Sequence, residues 1–563
     1  MKPTVPIHTK KKYTPILPGP KEWPVVKMAR DREAFVEEVV AESIGRIKSL
    51  RGNNGALVEE LENTMYLERL RIKQNPWNVD PDDEHSFWSS IKTRLVSYST
   101  DPGEQPNLPE ELLHEIVSRY ANEIAGDFRP SYYRFTRSMV TFGFARLLNA
   151  SRIKKFGSFW SRELTLQDKI HIVGETEHLR KLAKIGTIVM VPTHFSNLDS
   201  ILIGWVIHAL GLPPFIYGAG LNLFNIGIFS YFMNSLGAYK VDRRKKNLVY
   251  LETLKAYSSM ALRKGCHSLF FPGGTRSRSG KIENRLKMGL LGSAMESQRI
   301  LYQENPEGKS NKLFVVPVVL NYHFVLEAPG LINQYLMQKG QERYYVENDK
   351  FSTSAGIIKF LVKFFTKGSD ISVSIGKPMD MMGNYVNEEG VSMSRDGRAV
   401  NMRDYFRQGG KITENKQREE QYTRMLSERI VKEFHRINRV FSSHLVAFTA
   451  YEILRKRHFK LDLFSLLRLP EEEQIIPYEE FKEVFERLLE RIYYLYENGK
   501  VDLAPHMTMD VDKIIEHGLK NVGMYHANRT LYRNKNGDLV SDDLNNLFFY
   551  RNRMDGYDLE KYV

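Results

Sequence analysis

The sequence predicts an α/β domain set between two helical regions. Three observations predict it: short apolar runs between about residues 150 and 405, Gly- or Pro-containing turns after most of them, and apolar residues at helical spacing on either side. At 563 residues the chain exceeds one ordinary core, so two or three domains are expected. A hydrophobic content of 42% with 26% charged residues belongs to a folded chain rather than a disordered one.

Residues 1–25 are proline-rich with little periodicity and read as an extended arm. Residues 26–150 read as a helical N-terminal domain. Phe35, Val36, Val39, Val40 and Ile44 recur at helical spacing, and Pro109-Glu110-Glu111 opens a second amphipathic segment through Leu112, Ile116 and Tyr120. Residues 151–405 carry the α/β pattern, with candidate strands at 170–173, 188–191, 268–271, 314–320 and 371–375. Pro317 lies inside the fourth, which predicts an edge strand or a strand end. The stretch 380–412, rich in Met, Gly, Asn and charge, reads as a loop or linker. Residues 406–563 form a helical C-terminal domain, with one long pattern over 422–457 and another over 478–497. No internal repeat of solenoid period is present.

The net charge of +13 calls for an anionic partner: a membrane surface, a phosphate substrate, an acidic cofactor or nucleic acid. Between residues 240 and 290, thirteen Lys and Arg face only Asp242, Glu252 and Glu283, a local excess of ten. A solvated basic face would account for such a run, but this one flanks two glycine-marked turns, which favours a binding site. The single cysteine, Cys266, excludes an intramolecular disulfide and fits a reducing compartment. The first residues lack the apolar core of a secretory signal, so export is not expected. The most apolar stretch, 198–238, is interrupted by Asp199, Pro213 and Pro214 and falls short of the roughly twenty residues a span requires. It reads as buried helix and turn with an interfacial face.

Candidate chemistry begins at His194 and Asp199, directly after an apolar strand. On one straight helix an i,i+5 pair would point about 140° apart. The two side chains meet if His194 ends a strand and Asp199 lies in the first helical turn, with Ser196 or Asn197 as cap. Asp199 would then fix the imidazole tautomer and leave the other nitrogen to take a proton. Three further segments accompany the pair. Gly237-Ala-Tyr-Lys-Val-Asp-Arg243 ends a short strand-like run in an arginine. Phe271-Pro-Gly-Gly-Thr-Arg-Ser277 offers main-chain N–H groups at Gly273, Gly274 and Thr275 with Arg276, Arg278 and Lys281 for an anion. Val315-Val-Pro-Val-Val-Leu320 is the apolar strand containing Pro317.

In this order the four segments resemble the glycerophospholipid acyltransferase family over roughly residues 165–380. The resemblance implies a central mixed sheet flanked by helices, His194 as general base, Asp199 as its orienting acid, and Arg243, Arg276 and Arg278, with Lys281 beside them, on the acceptor phosphate. It implies no cofactor and no metal, with acyl-CoA or acyl-carrier protein as co-substrate. One position departs from the pattern. Where the family usually reads Phe-x-Glu-Gly-Thr-Arg, this chain has Gly273 in place of the glutamate, which in the family helps shape the acceptor pocket. The run 218–225, the extension to Lys281, the Tyr550-Arg551-Asn552 run and the chain length look like the large glycerol-3-phosphate and dihydroxyacetone-phosphate acyltransferases rather than the small lysophosphatidate enzymes.

The implied reaction is direct acyl transfer to the sn-1 hydroxyl of glycerol 3-phosphate, at the cytoplasmic side of a membrane and peripheral to it. Backbone donors near Gly273 and Gly274 would receive the oxyanion. Acylation of 1-acylglycerol 3-phosphate or dihydroxyacetone phosphate uses the same motifs. A catalytically silent lipid- or acyl-carrier-binding protein is the reading from another class. Cys266 before a strand reads as a buried residue rather than a nucleophile, and Ser196 and Ser277 lack a Gly-x-Ser-x-Gly setting. His267 and His323 have no partners at metal-ligand spacing, and Tyr493, Tyr494 and Tyr496 read as helix packing. No nucleic-acid recognition motif appears.

Overall fold

The computed structural model describes residues 3–5, 11–77, 79–100, 103, 105–131, 133, 169–221, 237–305, 311–340 and 370–563. Seven strands form one mixed sheet: β1 (Ile170–Gly174), β2 (Thr187–Pro192), β3 (Ile216–Gly220), β4 (Ala238–Val241), β5 (Ser268–Leu269), β6 (Leu313–Tyr322) and β7 (Ile371–Ile375), in the order β1-β7-β6-β2-β5-β3-β4. Strands β2 to β6 all run parallel to their sheet neighbours among themselves, and β7 meets β6 antiparallel while pairing parallel with β1. Every residue of β2 and β6 is buried. Helices covering both faces of a parallel sheet explain why these strands read as unbroken apolar runs rather than alternating ones. All five candidate strands appear; β3 does not stand out in the sequence because Gly218 and Gly220 replace the β-branched residues that mark a strand.

Pro317 is in the interior of the sheet, not at an edge: β6 lies between β2 and β7, and Pro317 pairs with Val191. The Pro317 carbonyl accepts from Gly376 N–H on the β7 side. Its nitrogen therefore faces that side too, where the ladder breaks between the Val318–Ile375 and Val315–Met379 pairs. The missing N–H falls at the break, so the ladder loses nothing.

The region before the sheet is helical, with Arg32–Arg51, Asn54–Gln74, Glu84–Thr100 and Leu108–Ile124. Phe35, Val36, Val39, Val40, Leu112, Ile116 and Tyr120 are buried there. They share a core with helix Leu248–Arg263, Tyr239 of β4 and Cys266. The proline-rich arm lies against the sheet domain where it is described, with Ile16 N–H donating to Gly211 O and Thr14 O accepting from Arg180.

Behind the sheet come Lys416–Ile437, Ser442–Arg457, Tyr478–Glu497, Val511–Asn521 and Leu544–Arg551. The long 422–457 pattern is thus two helices, interrupted at Asn438, whose carbonyl takes Asp502 N–H, and at Arg439–Val440, which pair with Asp502–Leu503. The 380–412 stretch is packed rather than free: short antiparallel pairs form within it, and Met381, Met382, Met402 and Phe406 are buried. The core of these C-terminal helices is continuous with that of the sheet.

Candidate active site

Strands β2, β4, β5 and β6 point the same way, so the loops leaving their C-terminal ends gather at one edge of the sheet. This is where an open α/β sheet builds its ligand sites. His194 follows β2, Arg243 follows β4, the 271–281 loop follows β5, and Tyr322 ends β6. The topology unites four segments that are far apart in the chain.

Asp199 is the first residue of helix Asp199–Ala209 and is fully buried. Its Oδ2 lies 2.8 Å from His194 Nδ1 and accepts from the main-chain N–H groups of Phe195 at 2.6 Å and Ser196 at 2.9 Å. Its Oδ1 accepts from Tyr322 Oη at 2.5 Å. Burial, and then the charge of Asp199, holds the Tyr322 phenol well above its ordinary pKa, so it remains a donor. With Nδ1 committed to a carboxylate, Nε2 is the imidazole nitrogen left to take a proton. The ring is stacked on Phe271, with centroids 4.1 Å apart and planes at 23°. The carboxylate meets the N–H groups of Phe195 and Ser196, while Ser196 Oγ accepts from Leu198 N–H at 3.2 Å and donates to Glu327 Oε2 at 3.1 Å.

The glycine loop is bonded directly to the histidine turn. Ser277 N–H donates to His194 O at 2.7 Å, and His194 N–H donates to Glu283 Oε1 at 3.0 Å. Gly274 has φ of +77°, and its N–H closes a turn onto Phe271 O at 2.9 Å. Lys287 covers it: a Cβ at Gly274 would stand 2.6 Å from Lys287 Cε. Asn552 Nδ2 donates to Ser279 O at 2.8 Å from the other side.

Of the cations expected at a phosphate, Arg243 and Arg276 are close enough for the charge of one to act on the other. Arg243 is exposed by surface area, yet protein crowds its guanidinium; this desolvation, and then the charge of Arg276, lowers its pKa. Arg276 Nη1 reaches Glu327 Oε1 at 3.4 Å, and Glu327, buried, also accepts from Asn197 N–H at 2.9 Å. Arg278 donates to Gln338 Oε1 at 2.9 Å on helix Ala328–Lys339, and Lys281 is paired with Asp555 Oδ2 at 2.6 Å. Much of the local charge excess is internally spent. Arg244 binds Asp80 and Asp242, Lys245 binds Glu123, Arg263 binds Glu42 and Lys264 binds Glu38.

Four residues at this edge escaped the sequence reading: Glu283, Tyr322, Glu327 and Arg553. Only Arg553 had a nearby signal, the Tyr-Arg-Asn run just before it. It is fully enclosed, donates to Leu320 O and Asn321 Oδ1, and lies 3.7 Å over the Phe195 ring. Burial lowers its pKa to about 10, against the pull of Glu283 and Asp199. Cys266 is buried, and desolvation pushes its thiol up to about 12, so no thiolate nucleophile forms there. His267 is a core residue whose Nδ1 accepts from Ile188 N–H. His323 brings a ring nitrogen within 4.8 Å of His506 and His517. One nitrogen of each ring is hydrogen-bonded, His323 Nδ1 to Ser443 Oγ, His506 Nε2 to Ser442 N–H and His517 Nδ1 to Ser442 Oγ, so the three histidines that sequence spacing does not group are brought together by the fold. Tyr493 is buried with its hydroxyl on Met507 O, whereas Tyr494 is 53% exposed with Arg491 over its ring.

A histidine held by a buried carboxylate thus shares one sheet edge with two arginines and a glycine turn. The Acyltransferase family matches residues 172–321, the segment that carries all four motifs. The chain is also similar to several glycerol-3-phosphate acyltransferases. It is 30% identical over 271 residues to the glycerol-3-phosphate acyltransferase of Aeromonas hydrophila subsp. hydrophila, covering 48% of this chain and 29% of that one. With the protein of that name from Pseudoalteromonas translucida it shares 27% over 312 residues (55% and 33%), and with that from Actinobacillus succinogenes 26% over 375 residues (65% and 41%). The matched part thus spans well under half the length of these relatives.

Proposed function

We propose that this protein transfers a fatty acyl group from a thioester, acyl-CoA or acyl-carrier protein, to the sn-1 hydroxyl of glycerol 3-phosphate. The observation that carries the reading is the His194–Asp199 pair, fixed by four donors on one carboxylate, at the strand edge it shares with Arg243 and Arg276. The names of the relatives support the acceptor.

His194 Nε2 removes the hydroxyl proton as the oxygen attacks the thioester carbonyl, and the buried Asp199 stabilises the imidazolium that forms. The tetrahedral intermediate collapses by expelling the thiolate, which recovers the proton from His194. No covalent enzyme intermediate is required. Arg243 and Arg276 hold the phosphate, with Arg278 and Lys281 at the far end of the same loop. Because Gly274 N–H closes a turn, the oxyanion donors assigned to this loop are the N–H groups of Gly273 and Thr275. No described helix is long and apolar enough to cross a membrane. A peripheral position at a cytoplasmic membrane face accords with the apolar product, and association should weaken as salt rises.

The test is thioester consumption by purified protein with glycerol 3-phosphate, 1-acylglycerol 3-phosphate or dihydroxyacetone phosphate, with His194→Ala as control. Turnover with the first and none in the variant is expected. Silence with all three would move the protein to a binding role. Arg276→Ala should raise the KM for the acceptor by about tenfold or more and leave that for the thioester nearly unchanged.

A further inference from the structure

Glu283 is the most anomalous side chain at the site. The residue is half-buried by surface area but its carboxyl is crowded by protein, and Oε1 takes the main-chain N–H of His194 at 3.0 Å. Oε2 is buried without a hydrogen-bond partner among the described residues. A main-chain N–H can be satisfied by any neutral acceptor, whereas burying a carboxyl with an idle oxygen is costly. Stability alone does not account for a glutamate here.

The space it fills is made by Gly273. A Cβ at that position would stand 2.9 Å from Glu283 Cγ and 3.1 Å from Oε1. A side chain at 273 and the glutamate at 283 therefore exclude one another. Gly273 is also the position where the sequence departs from its family pattern by lacking a glutamate. A side chain at 273 would displace Glu283 from the space it now fills.

We propose that Glu283 is the positioning carboxylate of this site, reaching from further along the loop into the space that a glutamate at 273 would fill. It clamps His194 from below while Ser277 N–H holds the carbonyl of the same residue, so both main-chain groups of the base are fixed by the glycine loop. Burial raises its carboxyl to about 7, partly offset by the His194 N–H and by Arg553, so the clamp changes charge near neutral pH.

The inference rests on the acyltransfer reading, and its test separates the two. In the thioester assay with glycerol 3-phosphate, Glu283→Ala should lower kcat by about 100-fold with the thioester KM little changed. Gly273→Glu should be comparably impaired, because two carboxyls compete for one space. The double variant Gly273→Glu/Glu283→Ala should recover about tenfold over Glu283→Ala. A double variant no better than Glu283→Ala overturns the proposal. If the alanine variant does not fold, the isosteric Glu283→Gln decides: wild-type kcat in it would show that a neutral acceptor suffices and would also overturn the idea. Should the wild-type chain turn over no acceptor, the function reading fails and Glu283 is judged separately. The rate at which diethyl pyrocarbonate modifies His194 must then change in Glu283→Gln, and an unchanged rate refutes the clamp.

Discussion

The two helical regions meet the sheet at different places and do different work. The N-terminal helices close a core with β4 and helix Leu248–Arg263, and their acids neutralise Arg244, Lys245 and Arg263. The C-terminal helices share the core of the sheet and send Asn552, Arg553 and Asp555 into the loops of the site. One region buttresses the sheet and the other reaches the loops of the candidate site. Similar helical patterns in sequence thus conceal different roles, because what matters is which sheet edge each region covers.

Acid should discriminate between them most strongly. Burial lowers His444, His506 and His526 to about 3, and His323 well below its ordinary value; all lie in or against the C-terminal region. These rings are neutral when folded and take a proton at about 6.5 when unfolded. Their stabilising contribution is complete above about 6.5 and is lost as pH falls toward 3. At pH 5 the loss is about 2 kcal/mol for each independent ring, less for His323, His506 and His517, which interact. Glu283 works in the opposite sense: its folded pKa is raised, so its contribution is full below about 4.5 and is lost as pH rises through about 7. Hydrogen exchange followed from pH 7 to 5 should show the C-terminal helices opening before Arg32–Arg51 and Leu108–Ile124. The reverse order would break the comparison.

Arg553→Met comes next in size. It strands Leu320 O and Asn321 Oδ1 and removes the cation near Asp199 and Glu283, at a cost of about 3 kcal/mol in denaturant unfolding. Activity per folded molecule should fall with it. Asp80→Ala is the matched change in the other region. It uncovers Arg71 and Arg244 and should cost about 1–3 kcal/mol while leaving kcat and both KM values unchanged. Smallest is Asn552→Ala, expected to cost about 1 kcal/mol and to raise the acceptor KM by loosening the loop at Ser279. An altered kcat in Asp80→Ala would show that the N-terminal buttress also tunes the chemistry.

The strands and the His194–Asp199 contact were legible because each is local: a buried run, then a turn with a five-residue spacing. What remained hidden was long-range. Tyr322 lies 123 residues from the carboxylate it supports, and Arg553 lies 232 residues from Asn321. Neither distance leaves a trace in periodicity. Pro317 misled because a proline rule speaks of hydrogen-bond position, and only the ladder shows that its nitrogen falls at a break. The charge count misled similarly, since Arg244 and Lys245 resemble Arg243 in sequence but are spent on Asp80 and Glu123.

The place of Arg553 and Asn552 also sets an order of events during synthesis. The glycine loop leaves the ribosome some 270 residues, and His194 and Asp199 some 350 residues, before Asn552 and Arg553. A nascent chain would therefore display the histidine turn and the glycine loop for many seconds before helix Leu544–Arg551 and the residues after it can dock on them.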